Sequence, residues 1–320
     1  GNPVARDTRA GPPRRIQWIA GPLWQRHHDG PPAVSAMVSA GGRLFYIIDE
    51  TPTGLFPSPE KWALLARDAF SGVLLWKRPL SGWGGPGHGN WLRQDKNIPY
   101  RLVAERDTLY LTLGLNAPVS ALDAKTGELL RTYEQTDDTQ QILLHNHTLF
   151  LAVRQPSSGD AGERTVAATH VVAIEPDTAA VKWKSDPFAG LTYLSNRTYL
   201  PMVAGDRGVY VLDAEAVVCL DAETGRVRWR RPRPAFEKVA NRGFAFHNVC
   251  SLAYYDGVVL LAQPREPGEP YKKPTRTGLF AIDAAAGKVL WDADCGGWPF
   301  VSSADVFGID GRIWTVGDSY

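Results

Sequence analysis

One eleven-residue pattern recurs along this chain and restricts its fold more than any other feature. It comprises a small residue, a longer one, an acid, three variable residues, Gly, then an apolar stretch ending in Trp. It reads ARDAFSGVLLW at 66–76, CLDAETGRVRW at 219–229 and AIDAAAGKVLW at 281–291. The copy ALDAKTGELLR at 121–131 ends in Arg, and AIEPDTAAVKW at 173–183 has Glu for Asp and Ala for Gly. The acids fall at 68, 123, 175, 221 and 283, spaced 55, 52, 46 and 62 residues apart. Self-similarity at such a period marks a repeat architecture.

A second pattern precedes each copy, with apolar runs on both sides of a polar turn. It reads AMVSAGGRLFYI (36–47), LVAERDTLYLT (102–112) and ILLHNHTLFLA (142–152). Further copies are MVAGDRGVYVL (202–212), LAYYDGVVLLA (252–262) and VFGIDGRIWTV (306–316). β-Branched and aromatic runs around Gly, Asp and Asn read as β-hairpins. Each unit is therefore two hairpins in series, a four-stranded antiparallel sheet.

In the second hairpin the acid (Asp68, Asp123, Asp221, Asp283) can accept N–H groups across its turn. The Gly four residues on (Gly72, Gly127, Gly225, Gly287) can take positive φ. The small residue two before the acid keeps the strand slim where a neighbouring sheet approaches. The Trp four after the Gly position (Trp76, Trp183, Trp229, Trp291) offers an apolar body to fill the gap between sheets, with an N–H seeking a partner. One such sheet cannot bury both faces alone, and radial stacking of sheets solves this as a β-propeller.

Composition agrees. The chain has 31 Gly, 24 Pro and 11 Trp in 320 residues, favouring short strands and turns. Its 35 basic and 34 acidic side chains nearly cancel, which argues against a dedicated nucleic-acid binder. Apolar runs such as Val258 to Ala262 fall far short of the roughly 20 residues of a membrane helix. Cys219, Cys250 and Cys295 are too scattered for a disulfide scaffold.

The repeat resembles that of the PQQ-like (quinoprotein alcohol dehydrogenase-like) β-propellers. This group includes PQQ-dependent alcohol dehydrogenases and non-catalytic relatives, among them the lipoprotein propeller of the bacterial outer-membrane barrel-assembly machinery. The resemblance spans nearly the whole chain and implies an extracytoplasmic location. WD40 repeats compete less well, since no Gly-His…Trp-Asp pair recurs at the right offset. Residues 302–320 supply one hairpin of a sixth unit. At the front, Asp7 and Gly11 keep the acid-to-Gly offset, and Arg15 to Trp18 reads as an outer strand. The expectation is a single all-β propeller domain over 1–320 with about five full blades and two half blades. It is either a six-bladed ring or an incomplete seven- or eight-bladed ring, the latter as an excerpt of a longer chain.

Family geometry brings the inter-blade linkers out on one face around the central channel. Here they carry Arg26, His28, His88, Arg93, Arg242, His247 and Trp298, which would suit a small polar ligand at the channel mouth. The alternative is that such groups tie linkers to neighbouring blades. Catalytic quinoproteins of the family place adjacent cysteines at the cofactor, whereas the three cysteines here are isolated. No catalytic residue, metal site or cofactor is therefore expected. PQQ with calcium is what the family would supply if the chain were catalytic. His145-Asn146-His147 reads as a hairpin turn, and Gln155–Thr165 and Pro264–Arg276 as solvated hairpin tips. The function expected is a non-catalytic scaffold for a protein partner or a small polar ligand, with no nucleic acid and no membrane span. The competing reading is an oxidoreductase or other enzyme whose site is built from the linkers.

Overall fold

The computed structural model describes residues 4–5, 16–19, 34–50, 61–81, 83, 98–155, 168–193, 197–234, 250–264, 277–295 and 306–315. Among these the structure is almost wholly β, with a 3-10 turn at Ile98–Arg101. The chain divides into two compact units, Gly11–Leu144, and Gly1–Ala10 with His145–Tyr320.

The unit Gly11–Leu144 holds two four-stranded meanders. The first runs Val34–Ala40, Arg43–Asp49, Trp62–Asp68, Leu74–Leu80, each strand antiparallel to the next. The second runs Leu102–Glu105, Thr108–Thr112, Val119–Asp123, Leu129–Thr132. The first hairpin turns at Gly41-Gly42, both with positive φ (54° and 74°). That geometry matches the twist of the strands it joins.

In the other unit, Thr148–Arg154, Ala168–Ile174 and Val181–Lys184 pair antiparallel in that order. Two further four-stranded meanders follow. One is Met202–Gly205, Gly208–Leu212, Ala216–Leu220, Val227–Pro232; the other is Ser251–Tyr255, Val258–Pro264, Thr277–Asp283, Val289–Cys295. Val306–Ile309 and Arg312–Thr315 form the expected lone hairpin. Val4–Ala5 adds to it in parallel, Val4 opposite Gly308, a pairing the sequence did not announce.

Burial explains why the inner strands lack a polar alternation. Arg43–Asp49 and Trp62–Asp68 are buried on both faces, while the outer strand Leu74–Leu80 is largely exposed. Phe45, Ile47, Leu64 and Ala66 face Leu102, Leu109, Leu111 and Leu122 of the next sheet. Tyr46, Ile48, Ala63 and Leu65 form a cluster on the opposite face. In the other unit, Val203, Tyr210, Val217 and Trp229 pack on Tyr254, Val259, Leu261, Phe280 and Ala284. A four-stranded sheet with two apolar faces needs a neighbour on each side, which is blade-to-blade packing.

The small residue of the repeat has a role beyond the one read from sequence. It lies between two large side chains in a row across three strands: Phe45–Ala66–Trp76, Phe150–Ala173–Trp183 and Tyr210–Cys219–Trp229. The rings lean over it until their centroids are 6.0, 5.8 and 5.9 Å apart. Strands two apart are about 9.5 Å distant, so only a small residue permits this approach. A register shift follows the small residue in every copy, at Ala66/Arg67, Ala121/Leu122, Ala173/Ile174, Cys219/Leu220 and Ala281/Ile282.

Candidate functional site

The repeat acids act within their own turns. Asp68 Oδ1 accepts the N–H of Phe70 (3.1 Å) and Ser71 (2.7 Å). Asp123 takes those of Lys125 and Thr126 (2.6 and 2.9 Å), Asp221 those of Glu223 and Thr224 (3.1 and 2.9 Å), and Asp283 those of Ala285 and Ala286 (3.1 and 2.6 Å). The Ser71 backbone N–H, its hydroxyl and the Phe70 N–H hold the Asp68 carboxyl below the ordinary carboxylate range. The Thr224 hydroxyl, then the turn amides and Arg228, do the same for Asp221. A carboxylate committed to donors in this way is a poor proton acceptor.

The glycines close these turns by donating N–H to the acid's carbonyl at 2.8–2.9 Å, with φ of 71–75°. Each also lies under an indole from the preceding repeat. A Cβ added at Gly72, Gly127, Gly225 or Gly287 would come within 2.5, 2.9, 2.5 and 2.7 Å of the rings of Trp18, Trp76, Trp183 and Trp229. Those indoles donate Nε1–H to the carbonyls of Ala69 (3.1 Å), Ala124 (3.0 Å), Ala222 (2.9 Å) and Ala284 (3.1 Å), always the residue after the acid. Trp18 reaches this position although Ile16 to Ile19 form no strand, unlike the outer strand expected there. Trp291 is 42% exposed and meets no such turn among the described residues. The motif acids and glycines, and Trp76, Trp183 and Trp229, are thus engaged in structure.

The seven linker residues expected at a channel mouth, Arg26, His28, His88, Arg93, Arg242, His247 and Trp298, all lie outside the described residues, as does most of Gln155–Thr165 and Pro264–Arg276. One neighbouring residue, Trp83, is described: it is buried against Trp62 at 6.3 Å, tying that linker to the first sheet. Sequence reasoning missed a second tie. Arg233, just past the outer strand Val227–Pro232, is buried and donates to Gln263 Oε1 at 3.1 and 2.9 Å, and to Cys250 Sγ at 3.3 Å. Gln263 in turn donates to the carbonyl of Pro234. Arg101, fully buried, donates to the carbonyl of Leu115 and to Gln140 Oε1 (3.1 Å). No local pattern marks these arginines, because their partners are 14 to 39 residues away.

Cys219 and Cys250 are buried thiols. Burial pushes the Cys219 thiol up to about 11 and raises that of Cys250 despite Arg233 beside it, so both stay protonated and poorly nucleophilic near neutrality. Among the described residues no helix is long and apolar enough to cross a membrane.

Comparison with known proteins agrees with this architecture. The family described as "Outer membrane protein assembly factor BamB" matches residues 119–308. No curated protein matches. Among solved structures, BamB from Moraxella catarrhalis is 12% identical and similar over 88% of this chain and 68% of its own, with a TM-score of 0.49. The quinohemoprotein alcohol dehydrogenase ADHIIG from Pseudomonas putida HK5 is 13% identical over 87% of this chain and 55% of its own, with a TM-score of 0.47. The β-propeller domain of the Trilobed protease from Pyrococcus furiosus, which has an open velcro topology, is 10% identical over 88% of this chain and 76% of its own, with a TM-score of 0.48. Four meander sheets with two apolar faces, a shared turn motif and a family match over more than half of its length define the chain: it belongs to the PQQ-like β-propeller family of the outer-membrane assembly factor BamB.

Proposed function

We propose that this protein is a non-catalytic propeller that holds a protein partner, or a small polar ligand, on the linkers between its blades. The family match over 119–308 carries the reading, since that family is described by an assembly factor. The use of the described polar side chains supports it. The repeat acids cap turns, both described thiols are buried, and Arg101 and Arg233 hold backbone and amide groups. Loops on a rigid scaffold remain as the place for recognition. Arg93, Arg242, His247 and Trp298 are the contact residues proposed, in one propeller domain over 1–320 located outside the cytoplasm.

Two measurements test this. The purified chain, supplied with PQQ, calcium, a primary alcohol and an artificial electron acceptor, is expected to show no turnover above background; sustained turnover overturns the non-catalytic reading. Photo-crosslinking residues at positions 93 and 242 are expected to give discrete adducts with a protein partner in cells. Adducts formed only from outer-strand positions such as 130 and 290 would move recognition off the linkers.

A further inference from the structure

In three sheets the tips of the two hairpins are joined by one backbone hydrogen bond from the residue after the repeat's acid. Ala69 donates to Gly42, Ala124 to Asp107 and Ala284 to Gly257, each at 2.9 Å. The third repeat cannot form this bond, because the equivalent residue is Pro176, which has no N–H. A side-chain contact joins the tips instead: His147 Nε2 lies 3.1 Å from Asp177 Oδ2.

A third group stands beside this pair. Glu175 occupies the position of the capping Asp but is one methylene longer, and its carboxylate accepts no hydrogen bond among the described residues. One donor atom each from His147, Glu175 and Asp177 lie within 4.8 Å of one another. His147 and Asp177 are 44% and 77% exposed, so the cluster opens to solvent.

We propose that His147, Glu175 and Asp177 form a binding site for a zinc-class divalent ion that clips together the two hairpins of the third repeat. One imidazole and two carboxylates suit zinc, whereas calcium and magnesium favour all-oxygen shells. Ligand atoms about 2.0–2.2 Å from a tetrahedral ion sit roughly 3.4 Å apart. From at most 4.8 Å the spread closes by about 1.4 Å, within reach of rotation in the half-buried Glu175 and exposed Asp177 side chains. Three protein ligands leave a fourth position for water. Neither sequence segment announces the site: His147 sits in a turn, and its partners come from a hairpin about thirty residues on.

The test is calorimetric titration of Zn2+ into the full chain and into His147→Asn and Glu175→Gln. Asn tolerates the left-handed conformation of residue 147 (φ +54°) and removes the imidazole. The parent chain is expected to show a saturable site that weakens at least tenfold in both variants. Zinc is expected to raise the parent's melting temperature and leave those of the variants unchanged. Unfolding without zinc checks that each variant is folded, and Asp177→Asn replaces either one that is not. The absence of a saturable site in the parent, or its retention at full affinity in either folded variant, overturns the proposal.

Discussion

Two demands meet at the repeat glycines, and they can be separated by substitution. Gly225 has φ +71°, and an added Cβ would lie 2.5 Å from the Trp183 ring. Gly257 has φ +81° with nothing within 4 Å of an added Cβ. The left-handed backbone costs an L-residue about 1–2 kcal/mol, and forcing a methyl into a packed ring adds about 1–3 kcal/mol. Gly257→Ala is therefore expected to lose about 1–2 kcal/mol and Gly225→Ala about 2–5 kcal/mol, read from urea midpoints at unchanged slope. Equal losses would mean that the indole yields freely and the glycine serves only its backbone. The sequence itself supports the two-demand view. The copy ending in Arg131 rather than Trp is followed by the copy with Ala179 in place of Gly, and Ala179 still adopts φ +61°. In sequence, the copy that follows the one without Trp keeps the backbone conformation and gives up the glycine.

Within one hairpin, the capping acid makes stability depend on pH. The carboxyls of Asp68 and Asp221 are held below their ordinary range in the folded chain. Such a group contributes stability that is present above its unfolded pKa, about 3.9, and is lost as pH falls through the lower folded value. Asp221→Asn keeps an oxygen acceptor for Glu223 and Thr224 but removes the charge. It is expected to cost about 0.5–1 kcal/mol at pH 7, the scale of the partly exposed ion pair with Arg228 that it removes. Its melting temperature should also fall less steeply than the parent's between pH 5 and 3; parallel curves would show that the Asp221 charge adds nothing. These hairpins were legible because their determinants are local, an acid and a Gly four residues apart between apolar runs. The aromatic row Tyr210–Cys219–Trp229 was not, since it is set by register across three strands. A residue chosen to let two rings meet looks the same in sequence as one chosen to let a sheet approach.

At the scale of the molecule, the sheets were readable and the linker contacts were not, for one physical reason. A sheet buried on both faces repeats its chemistry in every copy, so Ala281 to Trp291 can be read from Cys219 to Trp229. A linker has no period, and its contacts depend on which neighbours it meets: Trp83 settles on Trp62, and Arg233 on Gln263 and Cys250. The indoles connect the two levels, because Trp76, Trp183 and Trp229 each belong to one sheet and bond to the next turn of the repeat. In repeat folds stability is approximately a sum of repeat and nearest-neighbour terms. A Trp joining two sheets should then weigh more than a largely exposed one. Trp229 is 7% exposed, packs at a tilt against Tyr210 and donates to Ala284, while Trp291 is 42% exposed and lies opposite Ala281 with Leu260 beyond, not an aromatic ring. Trp229→Ala is expected to cost about 3–5 kcal/mol, the range for a buried aromatic, and to broaden unfolding by uncoupling the fourth and fifth sheets. Trp291→Ala is expected to cost about 1 kcal/mol or less, near the scale of surface substitutions. Denaturant unfolding followed by tryptophan fluorescence distinguishes the two. If both variants lost the same stability, the indole would be acting through its own strand, and the sheet-to-sheet bond to the carbonyl after the acid would contribute nothing to holding the blades together.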